Sequence, residues 1–163
     1  LDADALTLLG ADPALRAAAR AREDATIVTP HPAEAARLAA KDVAAIQHDR
    51  VGAALAIARQ LHAHAVLKGA GSVLAHPDGT FAVNRSGNPA LSAAGTGDVL
   101  AGIVGACLAQ QVDAEEALRI AVCVHGTAAD LLVARGVGPV GVGASELADA
   151  ARELLNRAGK LRN

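Results

Sequence analysis

Gly95-Thr96-Gly97-Asp98-Val99-Leu100-Ala101-Gly102 decides how the rest of the chain is read. A glycine turn runs straight into an apolar, helix-compatible segment, Val99 to Ala109. Glycine takes positive φ readily and lets a ligand approach the backbone closely. The first N–H groups of a helix have no intrahelical partner, and with the helix dipole they favour an anion, above all a phosphate. Gly95, Thr96 and Gly97 are therefore a candidate anion hole. Asp98 has two readings, because a carboxylate beside bound phosphate repels it. It is a base that takes a proton from a substrate hydroxyl while the N–H groups hold the transferring phosphoryl. Alternatively it caps the helix. The GxGD pattern by itself does not choose between them.

Working outward, the chain has 163 residues, enough for one domain with a core. It is 52% hydrophobic and 1% aromatic, with Phe81 alone among Phe, Trp and Tyr. Such a core must come from Leu, Val, Ile and Ala, which suits helices packed on a buried sheet. The net charge is −2, with no basic stripe and no aromatic platform, which argues against nucleic acid as a partner. The longest apolar run, Val99 to Ala109, is broken by glycines and too short to span a bilayer. Cys107 and Cys123 form no CxxC pair and read as buried free thiols, in keeping with a cytoplasmic location. The chain starts at Leu1 and contains no methionine, so a preceding section is expected.

Leu1-Asp2-Ala3-Asp4 reads as the end of a strand entering a short helix through Leu6 to Leu9. Asp2 and Asp4 either contact a metal or ligand at the sheet edge or cap that helix. Asp12-Pro13 starts the next helix, to about Arg22. Thr26 to Thr29 is a short strand, and Pro30-His31-Pro32 turns it into a helix with Glu34 in its first turn. His31 thus lies at a strand-to-helix loop, where α/β proteins place ligand groups, unless it is a plain surface histidine. Asp49 to His62 is an amphipathic helix. Ala65 to Leu67 is a strand ending at Lys68-Gly69-Ala70-Gly71-Ser72, a second candidate phosphate contact or a plain turn with a solvated lysine. It is not a Walker A loop, because the lysine precedes the glycines. Val73–Ala75 and Phe81–Val83 flank Pro77-Asp78-Gly79 and form a hairpin. After a loop from Asn84 to Ala94 come helices only: Val99 to Gln110, Ala114 to Arg135, and Ser145 to Asn156 with Ser145 as a cap. His125 reads as a packed, hydrogen-bonded histidine.

Taken together, LDADAL, TPHPAEAARL, VLKGAGSVLA, GNPALSAAGTGDVLAGIVGACLAQ and HGTAADL resemble, in order and spacing, the NAD(P)H-hydrate dehydratases of the ribokinase-like superfamily. The resemblance runs from Leu1 to about Leu147. It implies an α/β ribokinase-like fold over residues 1–163, with a mostly parallel central sheet, flanking helices, a terminal β-hairpin and an all-helical C-terminal third. It implies a hydro-lyase that restores NADH or NADPH from the hydrated S epimer, NAD(P)HX, at the expense of a nucleotide. His31, where eukaryotic relatives usually carry asparagine, points to the ADP-dependent bacterial type, which yields AMP and phosphate. The resemblance assigns His31 and Asp98 to the hydrated substrate. It assigns Lys68, Gly69, Ala70, Gly71, Ser72 and Gly97 to the adenine nucleotide, with Asp98 reaching the substrate hydroxyl. Mg²⁺ would bridge the nucleotide phosphates, with no residue assigned as its ligand, and a homo-oligomer is implied. Ser72 replaces the family's usual threonine, and Ala94 stands where a glycine often precedes GTGD. The family's section ahead of LDADAL is absent from this sequence, as is the epimerase domain fused in some bacterial relatives. The alternatives are a ribokinase-like kinase for a hydroxyalkyl vitamin precursor and a nucleotide-binding remnant without turnover.

Overall fold

The computed structural model describes residues 1–160. Its order is α1 (Asp4–Ala11), α2 (Pro13–Arg20), β1 (Ile27–Val28), α3 (Pro32–Ala39), α4 (Val43–His48), α5 (Arg50–Leu61), β2 (His64–Leu67), β3 (Val73–Ala75) and β4 (Phe81–Val83). A 3₁₀ turn (Pro89–Ser92), α6 (Thr96–Ala109), α7 (Ala114–Ala134) and α8 (Ala144–Lys160) follow.

The starts of several helices are written in local chemistry. Asp12 accepts from the amides of Ala14 and Leu15, with Pro13 at the first helical position. Asp42, Asp49 and Asp113 cap α4, α5 and α7 through their carboxylates in the same way. Helix α8 departs from its expected start. It begins at Ala144, and Gly143 donates its N–H to Glu146 Oε2 at 2.8 Å, so Ser145 is inside the helix and not its cap.

The strands lie in the order β1-β2-β3-β4. Only β1 and β2 run parallel, with Ile27 opposite His64 and Val28 opposite Ala65. The β2–β3 and β3–β4 pairs are antiparallel. Among the described strands the sheet is therefore not mostly parallel, contrary to expectation. The cause is the length of the Lys68–Ser72 loop, which reverses the chain and is far too short for a crossover helix. The hairpin at Pro77-Asp78-Gly79 is as read from the sequence. Leu1 extends the sheet beyond β1: its amino group donates to the Ile27 carbonyl at 2.7 Å, and the Thr29 amide donates to the Leu1 carbonyl at 3.2 Å.

Alternation along the strands builds two cores. Val28, Ala65, Leu67, Val73 and Ala75 face α1, α3, α4 and α5. Ile27, Val66 and Leu74 face α6 and α7, against Leu100, Val104, Leu118 and Val122. A third cluster joins α7 to α8 through Leu132, Leu147 and Ala150. Each buried aliphatic side chain in such layers contributes about 1.5–3 kcal/mol. Helix α7 is long and apolar enough to cross a membrane by length and composition alone. Here it packs on the sheet and on its helical neighbours, and half of its apolar window is buried in the protein. Cys107 is buried, as expected, but Cys123 is exposed. On α7 the core side is taken by Ala121, Val122, His125 and Gly126, which leaves Cys123 on the outer face.

Candidate active site

Three glycine-bearing segments and the middle of α7 surround a cleft of about 400 Å³. One wall is the loop Lys68–Ser72 at the end of β2. The second is the loop from Asn84 to Ser92, and the third is Thr96 and Gly97 at the start of α6. His125 and Gly126 of α7 close the floor, with Leu100 and Val122 as its apolar part. A larger groove of about 830 Å³ along α6, α7 and α8 is lined mainly by aliphatic side chains such as Val99, Ile103 and Leu155. The glycine loops line only the smaller cleft of the two.

The Lys68–Ser72 loop is organised around its carbonyl groups. The Leu67, Lys68 and Gly71 oxygens lie 3.2–3.4 Å from the Arg50 guanidinium nitrogen Nη2. The Gly69 oxygen accepts from the Ser72 hydroxyl at 3.1 Å, and the Ser72 oxygen accepts from the Asn84 amide at 2.9 Å. The amide N–H groups of Gly69, Ala70, Gly71 and Ser72 meet no protein acceptor among the described residues. Gly69 and Gly71 have φ of +147° and +67°, conformations that glycine alone adopts without strain. Free donors on successive small residues form an anion-binding concavity.

The α6 turn has a similar build. Gly95, at φ +82°, is the N-cap residue, and no side chain caps the helix. The capping reading of Asp98 therefore does not hold: its exposed side chain lies in the first turn and makes no cap bond. The Thr96 hydroxyl donates to the carbonyls of Leu91 and Ala93 at 2.8 and 2.9 Å, tying the 3₁₀ turn to the helix start. From below, His125 Nε2 lies 2.8 Å from the Thr96 carbonyl. A carbonyl only accepts, so Nε2 carries the proton. Burial is the main cause that pulls the His125 pKa below its ordinary value, with Lys68 adding to it and the Thr96 bond opposing it. His64, at the other end of β2, is lowered by burial and by His76, whose Nδ1 is 2.7 Å from its own.

These two shifts fix a pH response. A histidine whose folded pKa lies below its unfolded value of 6.5 binds its proton more readily in the unfolded chain. Its contribution to stability is complete above pH 6.5 and is lost as the pH falls from there through the folded values. Urea unfolding across this range is expected to show stability falling on acidification, and a His125→Gln protein, which keeps an N–H donor, to show a shallower fall. A wild-type profile that rises on acidification would contradict the assignment.

Lys68 is not a solvated lysine. Its ammonium is 3.1 Å from Asp2 Oδ1 and 3.8 Å from Glu34 Oε2, and all three side chains are largely buried. It also sits under Gly97, where a Cβ would come within 3.3 Å of its Nζ. Asp2 therefore engages Lys68 and does not cap α1, and Asp4 lies exposed in the first turn of α1. His31 is the N-cap of α3. Its Nδ1 accepts from the amides of Ala33 and Glu34 at 3.1 and 3.3 Å, while Glu34 Oε2 accepts the His31 amide at 2.7 Å. His31 is exposed and is not part of the cleft lining, and neither is Asp98. Lys68, Gly69, Ala70, Gly71, Ser72, Thr96 and Gly97 are brought together, while His31 connects to them through Glu34.

Sequence reasoning missed the 84–92 wall and its anchors. Asp130 accepts from the Gly87 amide and the Asn88 side chain, both at 2.9 Å. Gly126 meets Ser86 backbone to backbone. The stretch HGTAAD on α7 was the available signal: His125, Gly126 and Asp130 each hold a loop of the cleft.

A sheet covered by helices on both faces, with glycine loops at the strand ends and at a helix start, is the architecture of a ribokinase-like α/β protein. A ribokinase-like superfamily protein of Enterococcus faecalis V583 has a similar structure, with a TM-score of 0.75 at 25% identity over 96% of this chain and 51% of that one. The family described as NAD(P)H-hydrate dehydratase matches residues 1–152, and the chain belongs to that family. It is 46% identical, over 98% of its length, to the ADP-dependent (S)-NAD(P)H-hydrate dehydratase of Neisseria meningitidis serogroup B. It is 40% identical, over 95% of its length, to the bifunctional NAD(P)H-hydrate repair enzyme of Escherichia coli K12. The ADP/ATP-dependent NAD(P)H-hydrate dehydratase of Bacillus subtilis, co-crystallized with ATP/Mg²⁺, superposes with a TM-score of 0.79 at 37% identity over 83% of this chain and 49% of that one. The chain spans 54% of the Neisseria protein and 28% of the Escherichia protein.

Proposed function

We propose that this chain carries the nucleotide-binding part of an ADP-dependent (S)-NAD(P)H-hydrate dehydratase, a cytoplasmic repair lyase, and that Asp98 works at the rim of that site. The observation that supports this most directly is that Gly69 to Ser72, whose amides meet no acceptor among the described residues, line the same cleft as Gly97. In this reading the loop and the α6 start hold the nucleotide phosphates, and Lys68 lies beside Gly97 as the adjacent positive charge. Asp98 takes the proton of the substrate hydroxyl as its oxygen attacks the β-phosphorus of ADP, with AMP as the leaving group. Hydroxide is a poor leaving group and phosphate a good one. The C–O bond then breaks with its electron pair going to phosphate, the neighbouring ring carbon gives up its proton to water, the electron pair of that C–H bond forms the ring double bond, and NADH or NADPH is restored. His31 faces the hydrated nucleotide from the α3 start.

Among the described residues no three His, Cys, Asp or Glu side chains converge on a metal position. In this reading Mg²⁺ would arrive with the nucleotide, since the ion takes phosphate, carboxylate and water oxygens as ligands. When bound it would offset phosphate charge.

The test is to incubate the chain with ADP and hydrated NADH while following NADH absorbance, AMP and phosphate. Recovery of NADH with AMP release is expected, and substrate labelled with heavy oxygen at the hydroxyl should pass the label to phosphate. A stable phosphorylated product would favour a kinase. Nucleotide binding without NADH recovery would leave a binding unit only.

A further inference from the structure

Arg50 is outside the cleft lining, yet it touches more of the Lys68–Ser72 loop than any ligand-facing side chain does. Residue 50 opens α5, directly after the capping residue Asp49. Its Nη1 donates to Gln47 Oε1 at 2.8 Å, which fixes the plane of the guanidinium. Its Nη2 faces the carbonyl oxygens of Leu67, Lys68 and Gly71. No carboxylate pairs with it among the described residues, in contrast to Lys68, Arg119 and Arg135, which all have acidic partners. Burial draws its pKa down, but a guanidinium stays charged at neutral pH.

Gly69 shows how close this contact is. A Cβ there would lie 2.9 Å from both terminal nitrogens of Arg50. The glycine is needed for the approach of the guanidinium as well as for its own φ of +147°.

Arg50 is the charged partner in the backbone accounting of the loop, beside the Ser72 hydroxyl on the Gly69 carbonyl and the Asn84 amide on the Ser72 carbonyl. Three carbonyls are held by one cation, while the amides from Gly69 to Ser72 meet no acceptor among the described residues. We infer that Arg50 is the positioning residue of the nucleotide loop: it gathers the carbonyl oxygens of Leu67, Lys68 and Gly71 behind the loop and so presents the amides of Gly69 to Ser72 to phosphate. Its positive charge, without a carboxylate partner, adds to the attraction for an anion on the far side. This role rests on the nucleotide reading above for its ligand, but the ordering of the loop does not.

Two measurements on Arg50→Met and Arg50→Ala separate the cases. The first is amide relaxation by NMR at Gly69 to Ser72 without nucleotide. The loop amides are expected to become mobile in both variants, while the rest of α5 and β2 keeps its wild-type spectrum. The second is calorimetric titration with ADP, where loss of charge-assisted bonds is expected to weaken affinity about tenfold or more. Millimolar guanidinium should restore order and affinity to Arg50→Ala, and the same concentration of ammonium should not. A role in packing alone would lower thermal stability without moving either readout. Wild-type loop order and affinity in both variants would overturn the inference. Loss of loop order in the variants, with no ADP binding by the wild type, would overturn the nucleotide reading and leave Arg50 as the organiser of the loop.

Discussion

The Gly126→Ala protein is expected to lose stability by about 1–3 kcal/mol, the usual cost of forcing an extra methyl group into a packed site, and to bind ADP poorly. The added Cβ would lie 2.8 Å from the Ser86 carbonyl carbon and 2.9 Å from its oxygen. Those are backbone atoms, so no rotamer change relieves the contact. Gly87 approaches the same spot from the other side, where its own Cβ would fall 3.5 Å from the Gly126 Cα. The 84–92 wall must therefore lift away from α7. That strains the two bonds to Asp130 and shifts Asn84, whose amide holds Ser72. Urea unfolding measures the first effect and ADP titration the second. Wild-type values in both would mean that the loop has more room than its contacts indicate.

The Asp98→Asn protein is expected to behave in the opposite way. Its fold and its affinity for ADP should match the wild type, because Asp98 is exposed, caps nothing and stands outside the cleft lining. Removing a carboxylate next to a phosphate site also removes a repulsion. Turnover should fall by about 10²- to 10⁴-fold, the typical weight of one general base. Single-turnover formation of NADH, measured beside ADP titration, distinguishes these quantities. Unchanged turnover would reject Asp98 as the base. A parallel loss of ADP affinity would instead place Asp98 among the groups that hold the nucleotide.

The contrast between the two residues shows what the sequence carries openly. Strand and helix positions were legible because their causes are local: Asp-Pro at α2, Pro-Asp-Gly between β3 and β4, and the continuous apolar run Ala65-Val66-Leu67 in β2. The two glycine loops were legible for the same reason, since glycine clusters at element ends have few other uses. What could not be read was pairing at a distance. Nothing near Lys68 announces that Asp2 and Glu34 share its ammonium, or that Arg50 holds its loop from α5. His31 has a local use that its position did not announce. Its position before Pro32 suggested a ligand group, while the immediate structural use of its ring is to cap α3. Of the expected parallel sheet only the β1–β2 pair is parallel among the described strands, because the Lys68–Ser72 loop is too short for a crossover helix between β2 and β3.

The ion pair between Asp2 and Lys68 joins residues 66 positions apart, and the Asp130 bonds to Gly87 and Asn88 close loops of 43 and 42. Contacts of such sequence separation form late, after the entropy of long loop closure has been met. No partly folded intermediate that lacks them can present the cleft. On the proposed nucleotide reading, ADP binds the folded protein and not its unfolded chain, and at about one hundred times its dissociation constant it would add about 2.7 kcal/mol to the unfolding free energy. Occupancy of the site would then set how long the protein withstands proteolysis, and on that reading the supply of ADP would govern its survival.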